Sequence, residues 1–272
     1  MKRFGAKTIL YVLLVAAASM AMLPLYWMLT CAFKTDAEIT RPTPTFWPET
    51  WVWDNFSAVW QSFARPTLNS LIVSGACTLL IVFLSALAGY ALAKKRFMGR
   101  GALFAVLVGI MLIPPSVLVV PLYCVIKSIG LLDTLTALVL PFSVTAFGIF
   151  LMRQFAAEIP DSLIESARVD GWGEFAIFRR VALPLLLPPM AVLAIIEFVN
   201  NWNSFTVPFV LIHSAEKKTL QLALADLRMA YEITPWSHVM AGSVLSVAPI
   251  LVLFLIFQRG IIRTIMRGAV KG

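Results

Sequence analysis

Charged residues are scarce in this 272-residue chain. They make up 13% of the sequence, whereas hydrophobic residues make up 60%; soluble domains carry about a quarter charged residues. Several stretches exceed the roughly 18 uncharged apolar residues that indicate a transmembrane segment. The composition therefore excludes an ordinary soluble globular domain and predicts a membrane protein.

Cysteine and histidine are also rare. The three cysteines, Cys31, Cys77 and Cys124, are far apart and lie in or beside apolar stretches, so we expect free, buried thiols and no disulfide framework. The two histidines match no metal-ligand spacing. We therefore expect no metal site and, because clustered His, Asp or Cys is lacking, no catalytic centre.

The hydropathy pattern predicts an all-α polytopic membrane protein with six transmembrane helices in a single domain, 1–272. The predicted spans are 9–32, 67–93, 102–123, 134–152, 185–212 and 239–257. The first apolar run continues well past the 7 to 15 residues of a signal-peptide core, so we interpret it as a retained span.

The distribution of Lys and Arg predicts the orientation. Of the 22 basic residues, 15 fall on the side that contains both termini and 7 on the other side. Cytoplasmic loops carry the excess of basic residues, so both termini are predicted to be cytoplasmic. The net charge of +8 is explained by this bias, and we expect no nucleic-acid partner. Tryptophans in the outer segment 33–66 predict contact with the lipid interface.

The cytoplasmic loop 158–184 is unusually rich in charge. Ser162 and Glu165 have the spacing of a capping box, and Gly171 can adopt the left-handed conformation that ends a helix. We therefore predict a surface helix of about two turns, followed by a second helical stretch from Glu174 to Pro184.

This loop resembles the EAA loop of binding-protein-dependent ABC importer permeases. The similarity rests on Glu165-Ser166-Ala167, on Gly171, and on Val181, Leu183 and Pro184 farther on. Similar stretches are Asn69-Ser70, the run Tyr90 to Phe97, Trp202-Asn203, and the ending Gly268 to Gly272. Together they resemble the carbohydrate-type, MalG-like permeases along essentially the whole chain.

The resemblance implies a type I ABC importer permease fold in a bacterial inner membrane. It implies that the loop docks on a cytoplasmic ATPase dimer, through the candidate coupling residues Glu165, Ser166, Ala167, Asp170, Gly171 and Pro184. The other implied partners are a second permease subunit and an extracytoplasmic solute-binding protein, and the implied cargo is a sugar, an oligosaccharide or a polyol phosphate.

No GxxxxGK[ST] phosphate-binding loop occurs in the sequence. We therefore expect that this chain binds no cofactor, that ATP and Mg²⁺ are held by the separate ATPase, and that the chain is a transporter subunit and not an enzyme. A self-contained secondary transporter or channel is the alternative, but it leaves the loop 158–184 unexplained.

One acidic residue, Glu197, lies well inside a predicted span, where a charge costs about 2.5–3.5 kcal/mol to insert. Helical spacing places Asn200, Asn201 and Ser204 on its face, with Asn203 close by. The candidate substrate path is therefore Glu197, Asn200, Asn201, Asn203 and Ser204. The alternative is a hydrogen-bond network that joins the fifth span to the partner subunit.

Overall fold

The computed structural model describes residues 2–229 and 235–269. Within this part of the chain the regular structure is entirely helical. Sequence predictions that concern residues 1, 230–234 and 270–272, including the chain ends and part of the outer segment 213–238, lie outside the described residues.

Helices α1 to α7 form the first half of the chain. Their bounds are α1 Lys2–Cys31, α2 Asp36–Ile39, α3 Asp54–Lys94, α4 Arg100–Ile110, α5 Val119–Ser128, α6 Leu135–Val139 and α7 Ala146–Ala157. Short 3₁₀ turns precede α5, at Pro115–Leu118, and follow α6, at Leu140–Phe142.

Helices α8 to α13 form the second half. Their bounds are α8 Asp161–Val169, α9 Glu174–Ile177, α10 Leu183–Trp202, α11 Thr206–Leu211, α12 Leu220–Met229 and α13 Trp236–Ala269. A π-helical segment, Phe178–Ala182, joins α9 to α10, and a 3₁₀ turn, Ala215–Lys217, precedes α12.

Four helical stretches of the described chain are long and apolar enough to cross a membrane: Ile9–Cys31, Asp54–Lys94, Glu174–Trp202 and Trp236–Ile256. Two further candidates are bent pairs. Arg100–Ile110 and Pro115–Ser128 meet at 95°, and Leu135–Phe142 and Ala146–Ala157 meet at 41°. The described part of the chain therefore has up to six candidate spans, if each bent pair counts as one.

The structure differs from the predicted spans in three places. The span predicted over 102–123 is broken at residues 111–114, where Pro114 and Pro115 interrupt the backbone hydrogen bonding. Helix α3, which contains the second predicted span, begins at Asp54. Asn69 and Ser70 therefore lie within this helix and not at its start. The span predicted over 185–212 ends at Trp202, and α11 follows as a separate short helix.

The chain divides into two compact units. The first comprises residues 1–64 and 222–249, and its centre is the buried amine of Lys34, whose side chain is 1% exposed. Lys34 donates to the carbonyl of Thr45, lies 4.0 Å from Glu38 and sits 4.7 Å from the ring centroid of Trp27. A hydrogen bond, an ion pair and a cation–π contact thus offset the cost of burying this charge.

Aromatic side chains surround Phe33 in the same unit. Its ring centroid lies 5.1 Å from that of Trp51, 4.8 Å from that of Trp53 and 4.9 Å from that of Phe56. Trp51 and Trp53 are exposed, together with Trp47. The proposed contact of this segment with the lipid interface stays a prediction.

The second unit comprises residues 65–221 and 250–272. Its core joins the end of α3, helices α7 and α8, and the stretch from α9 into α10, through Tyr90, Met152, Ile164 and Phe178. Gly89 of α3 faces α7, where an added Cβ would lie 2.7 Å from the backbone nitrogen of Arg153. The glycine permits this close helix contact.

Asp133 links two segments on the side predicted to face outward. Its carboxylate accepts hydrogen bonds from the backbone nitrogens of His213 and Ser214, at 2.9 and 3.0 Å, and from the Ser214 hydroxyl. Lys217 pairs with it at 3.2 Å. The Ser214 hydrogen bonds, above all, lower the pKa of Asp133, so this link persists at mildly acidic pH.

Two of the three cysteines, Cys31 and Cys77, are buried as the sequence predicts. Cys124 is exposed, so the prediction of a buried thiol is wrong there. The cause is that α5 leaves much of its apolar surface uncovered by this chain, as the exposed side chains of Val120 and Val125 show.

Candidate functional site

Helix α8 stands at the surface with one buried edge. Ile164 and Ala167 face the core, whereas Glu165 and Ser166 are exposed. The small side chain of Ala167 permits close packing on that core. The carboxylate of Glu165 remains accessible to a partner, and the Ser166 hydroxyl bonds back to the carbonyl of Leu163 at 3.1 Å.

The predicted capping box at the start of α8 is wrong. The helix begins at Asp161, with Pro160 as its N-cap at φ −60° and ψ 130° and no side-chain capping bond. Ser162 is therefore already inside the helix, two residues after the N-cap position. Glu165 consequently has no capping role.

The end of α8 is a Schellman motif. Asp170 is the C-cap, and Gly171 follows at φ +80°, as the sequence predicts. The backbone nitrogen of Gly171 donates to Arg168 and that of Trp172 donates to Ala167, both at 3.0 Å. This arrangement reverses the chain and leads it into α9.

Lys94, the last residue of α3, fastens α8 to the membrane span. Its amine is 2.7 Å from the Asp161 carboxylate and also donates to the carbonyls of Ala157 and Ile159. The hydrogen bond from Lys94 lowers the pKa of Asp161. This ion pair joins residues that are far apart in sequence.

A second group of ion pairs lies beside the Lys94–Asp161 pair. Glu174 accepts a hydrogen bond from Lys95, and Arg168 lies 3.0 Å from its other oxygen. The Lys95 hydrogen bond is the main reason that the pKa of Glu174 is lowered. Glu174 thus connects the end of α3, α8 and the start of α9.

Pro184 lies in the first turn of α10, directly after the π-helical segment. Proline has no backbone N–H to donate to the preceding turn, and a π-helical turn alters the hydrogen-bond spacing at that point. The helix therefore continues from Glu174 to Trp202 in spite of the proline.

A cavity of about 530 Å³ lies among the membrane helices of the second unit. Four of the five candidate path residues line it: Glu197, Asn200, Asn201 and Ser204. Asn203, the C-cap of α10, is exposed and does not line the cavity. The helical spacing read from the sequence therefore groups four of these side chains correctly.

Glu197 is 5% exposed and is held by Thr145, whose hydroxyl donates to Oε1 at 3.1 Å. Thr145 also caps α7, because its oxygen accepts a hydrogen bond from the nitrogen of Gly148 at 3.0 Å. One threonine thus fixes both the start of α7 and the carboxyl group in the cavity.

Five further polar residues of the cavity wall were not singled out from the sequence: Ser74, Ser116, Thr145, Thr206 and Thr219. Ser74 lies one turn after Ser70 on α3, so a polar stripe at i, i+4 spacing was the available signal. The amide of Asn69 donates to the carbonyls of Glu216 and Lys218, and the Ser70 hydroxyl accepts a hydrogen bond from the backbone nitrogen of Leu220. These bonds hold Thr219 against the cavity.

The family described as "binding-protein-dependent transport system inner membrane component" matches residues 81–267. The chain belongs to this family. The matched region contains both α8 and the cavity helix α10, so the permease is a transmembrane component of an ABC importer.

Similar proteins extend the match along nearly the whole permease. The arabinooligosaccharides transport system permease AraQ of Halalkalibacterium halodurans is 35% identical over 94% of this chain and 93% of its own length. The sn-glycerol-3-phosphate transport system permease UgpE of Yersinia pestis is 30% identical, with 96% of each chain covered.

The fold is also found in a solved structure. A chain of a bacterial ABC transporter involved in the import of the acidic polysaccharide alginate superposes with a TM-score of 0.84, over 93% of the permease and 95% of that chain. Its sequence identity is 23%, so this likeness shows the fold alone.

Proposed function

We propose that the permease forms half of the membrane pathway of an ATP-driven importer for a carbohydrate or a related solute. The observation that carries this proposal is the polar cavity around Glu197 within a chain that is 35% identical to an arabinooligosaccharide permease. The amide, hydroxyl and carboxyl groups that line the cavity suit the many hydroxyls of such a solute.

The proposed assembly contains a second permease, a cytoplasmic ATPase dimer and an extracytoplasmic solute-binding protein. ATP and Mg²⁺ bind to the ATPase, because this sequence has no phosphate-binding loop of the GxxxxGK[ST] type. The charge bias of the loops supports a position in the bacterial inner membrane with both termini in the cytoplasm.

We assign ATPase docking to the exposed surface of α8 and the turn after it. Glu165 presents a carboxylate to the cytoplasm while Ala167 packs beneath it, and Lys94 and Glu174 attach the helix to α3. A displacement of α8 is therefore transmitted to the membrane helices.

Glu165→Arg tests this assignment. We expect a weaker association with the ATPase and about fivefold slower ATP-driven import, because a charge that faces the partner is reversed. Co-purification of the ATPase and uptake into proteoliposomes measure both effects. Glu216→Arg makes the same charge change on the opposite side of the membrane and should leave ATPase binding intact. Normal ATPase binding and normal import by Glu165→Arg contradict the docking role.

Glu197→Gln and Asn200→Ala test the path against the alternative of a structural network. We expect each variant to change the solute concentration for half-maximal import by about three- to tenfold, because each removes a hydrogen-bonding group from the cavity. Size-exclusion chromatography checks the assembly in detergent. Unchanged solute dependence together with dissociation of the two permeases would support the structural network instead.

A further inference from the structure

Among the described residues, those that line the cavity include no positively charged side chain. Of its 19 lining residues, all within the described part of the chain, Glu197 alone carries an ionisable acidic group, and none is Lys, Arg or His. Lys217 lies between the lining residues Pro208 and Thr219 in sequence, but its amine is bound to Asp133. An anionic solute would therefore find no counter-ion on this wall.

Hydrogen-bonding capacity is available on the same wall. Asn200 and Ser204 line it with side chains that are not buried, so an amide and a hydroxyl group are accessible to an occupant. Thr145 occupies one oxygen of Glu197, and no described residue bonds to the second oxygen. These groups can therefore form hydrogen bonds with a bound solute.

A neutral, polyhydroxylated solute can form these hydrogen bonds. Each sugar hydroxyl both donates and accepts, so it can donate to the Glu197 carboxyl group and accept from Asn200 or Ser204. A phosphate or a uronate only accepts when it is ionised, and recognition of such groups in proteins normally uses Arg, Lys or backbone N–H groups.

We propose that this wall of the pathway selects neutral polyhydroxylated solutes against anionic ones, and that Glu197 sets the preference. The inference rests on the proposed function and narrows it. The preferred cargo then resembles an arabinooligosaccharide, which the name of one similar permease specifies. It differs from sn-glycerol 3-phosphate and from an acidic polysaccharide, which the names of the other two similar proteins specify.

The test measures the electrostatic preference of the cavity without knowledge of the cargo. In the assembled transporter, Cys31 and Cys77 are replaced by Ala and Cys124 by Ser, and Ser204→Cys supplies a thiol in the cavity. The thiol is labelled with 2-(trimethylammonium)ethyl and with 2-sulfonatoethyl methanethiosulfonate. These reagents are of similar size and opposite charge.

Relative to free cysteine in solution, we expect the cationic reagent to be favoured at Ser204→Cys by about tenfold, as attraction to a carboxylate in a poorly solvated site requires. Adding Glu197→Gln should lower this preference at least about threefold. Adding Glu216→Gln, which removes a carboxylate outside the cavity, should leave the ratio unchanged. An equal or faster rate for the anionic reagent, or no effect of Glu197→Gln, overturns the proposal.

Asn200→Cys provides a second reporter if Ser204→Cys does not assemble. A separate uptake assay in proteoliposomes compares arabinotriose with trigalacturonate. Import of arabinotriose alone agrees with the inference, and import of trigalacturonate at a similar rate overturns it. Import of neither contradicts the choice of cargo in the proposed function, and the labelling ratio then still decides the charge preference.

Discussion

Gly171→Val is expected to reduce ATP-driven import by about tenfold or more, while the chain still inserts into the membrane. Gly171 holds φ +80° at the end of α8, and a side chain in the left-handed region costs about 1–2 kcal/mol, more for a β-branched residue. Since about 1.4 kcal/mol corresponds to a factor of ten, the turn would shift to other conformations. Uptake into proteoliposomes and ATPase co-purification measure the result.

The control is Gly173→Ala, two residues away. Gly173 has φ −68°, and an added Cβ would meet no atom within 4 Å. This variant should import at close to the normal rate, whereas Gly171→Asn should retain much of it because asparagine tolerates the left-handed region. Equal import by Gly171→Val and Gly173→Ala would show that the turn after α8 has no part in coupling.

Gly89→Ala should destabilise the permease by about 1–3 kcal/mol, the usual range for overpacking in a well-packed interior. The new Cβ would lie 2.7 Å from both the backbone nitrogen of Arg153 and the Cβ of Met152, so α3 and α7 would have to separate. Thermal unfolding in detergent should show a midpoint lower by roughly 2–4 °C for each kcal/mol lost.

Gly75→Ala is the matched control on the same helix. Its added Cβ would meet nothing within 4 Å, and alanine favours a helix over glycine by about 0.8–1.0 kcal/mol. The two substitutions should therefore shift the unfolding midpoint in opposite directions. A similar shift for both variants would mean that the contact of Gly89 with α7 contributes little to stability.

The all-α class and the number of apolar stretches follow from hydropathy, because lipid demands long apolar helices with internally satisfied backbones. Hydropathy does not report where an apolar stretch bends. The break at residues 111–114 depends on two consecutive prolines and on packing, and Pro188 and Pro189 lie inside the continuous α10 without a comparable break. A proline pair therefore does not by itself predict a broken span.

Local sequence predicted the end of α8 better than its start. Glycine is by far the residue best suited to a left-handed turn, so the end of α8 at Gly171 was predictable. Ser162 and Asp161 are both acceptable near a helix N-terminus, and in the structure the N-cap is Pro160, two residues before Ser162. The capping-box pattern was present, but it did not define which residue begins the helix.

Helical spacing grouped Glu197, Asn200, Asn201 and Ser204, because these residues belong to or directly follow one helix. The other side of the cavity comes from residues more than 50 positions away, such as Thr145 and Ser74, and no local spacing relates them to α10. Long-range partners of this kind require the tertiary structure.

The tie made by Lys94 has a mechanical consequence. Its amine bonds to Asp161 and to the carbonyls of Ala157 and Ile159. A displacement of α8 therefore acts on the end of α3 as well as on α7 and α10, to which α8 is connected along the chain. In the proposed coupling role, a displacement of α8 by the ATPase would therefore move three membrane helices together, including α10, which carries Glu197.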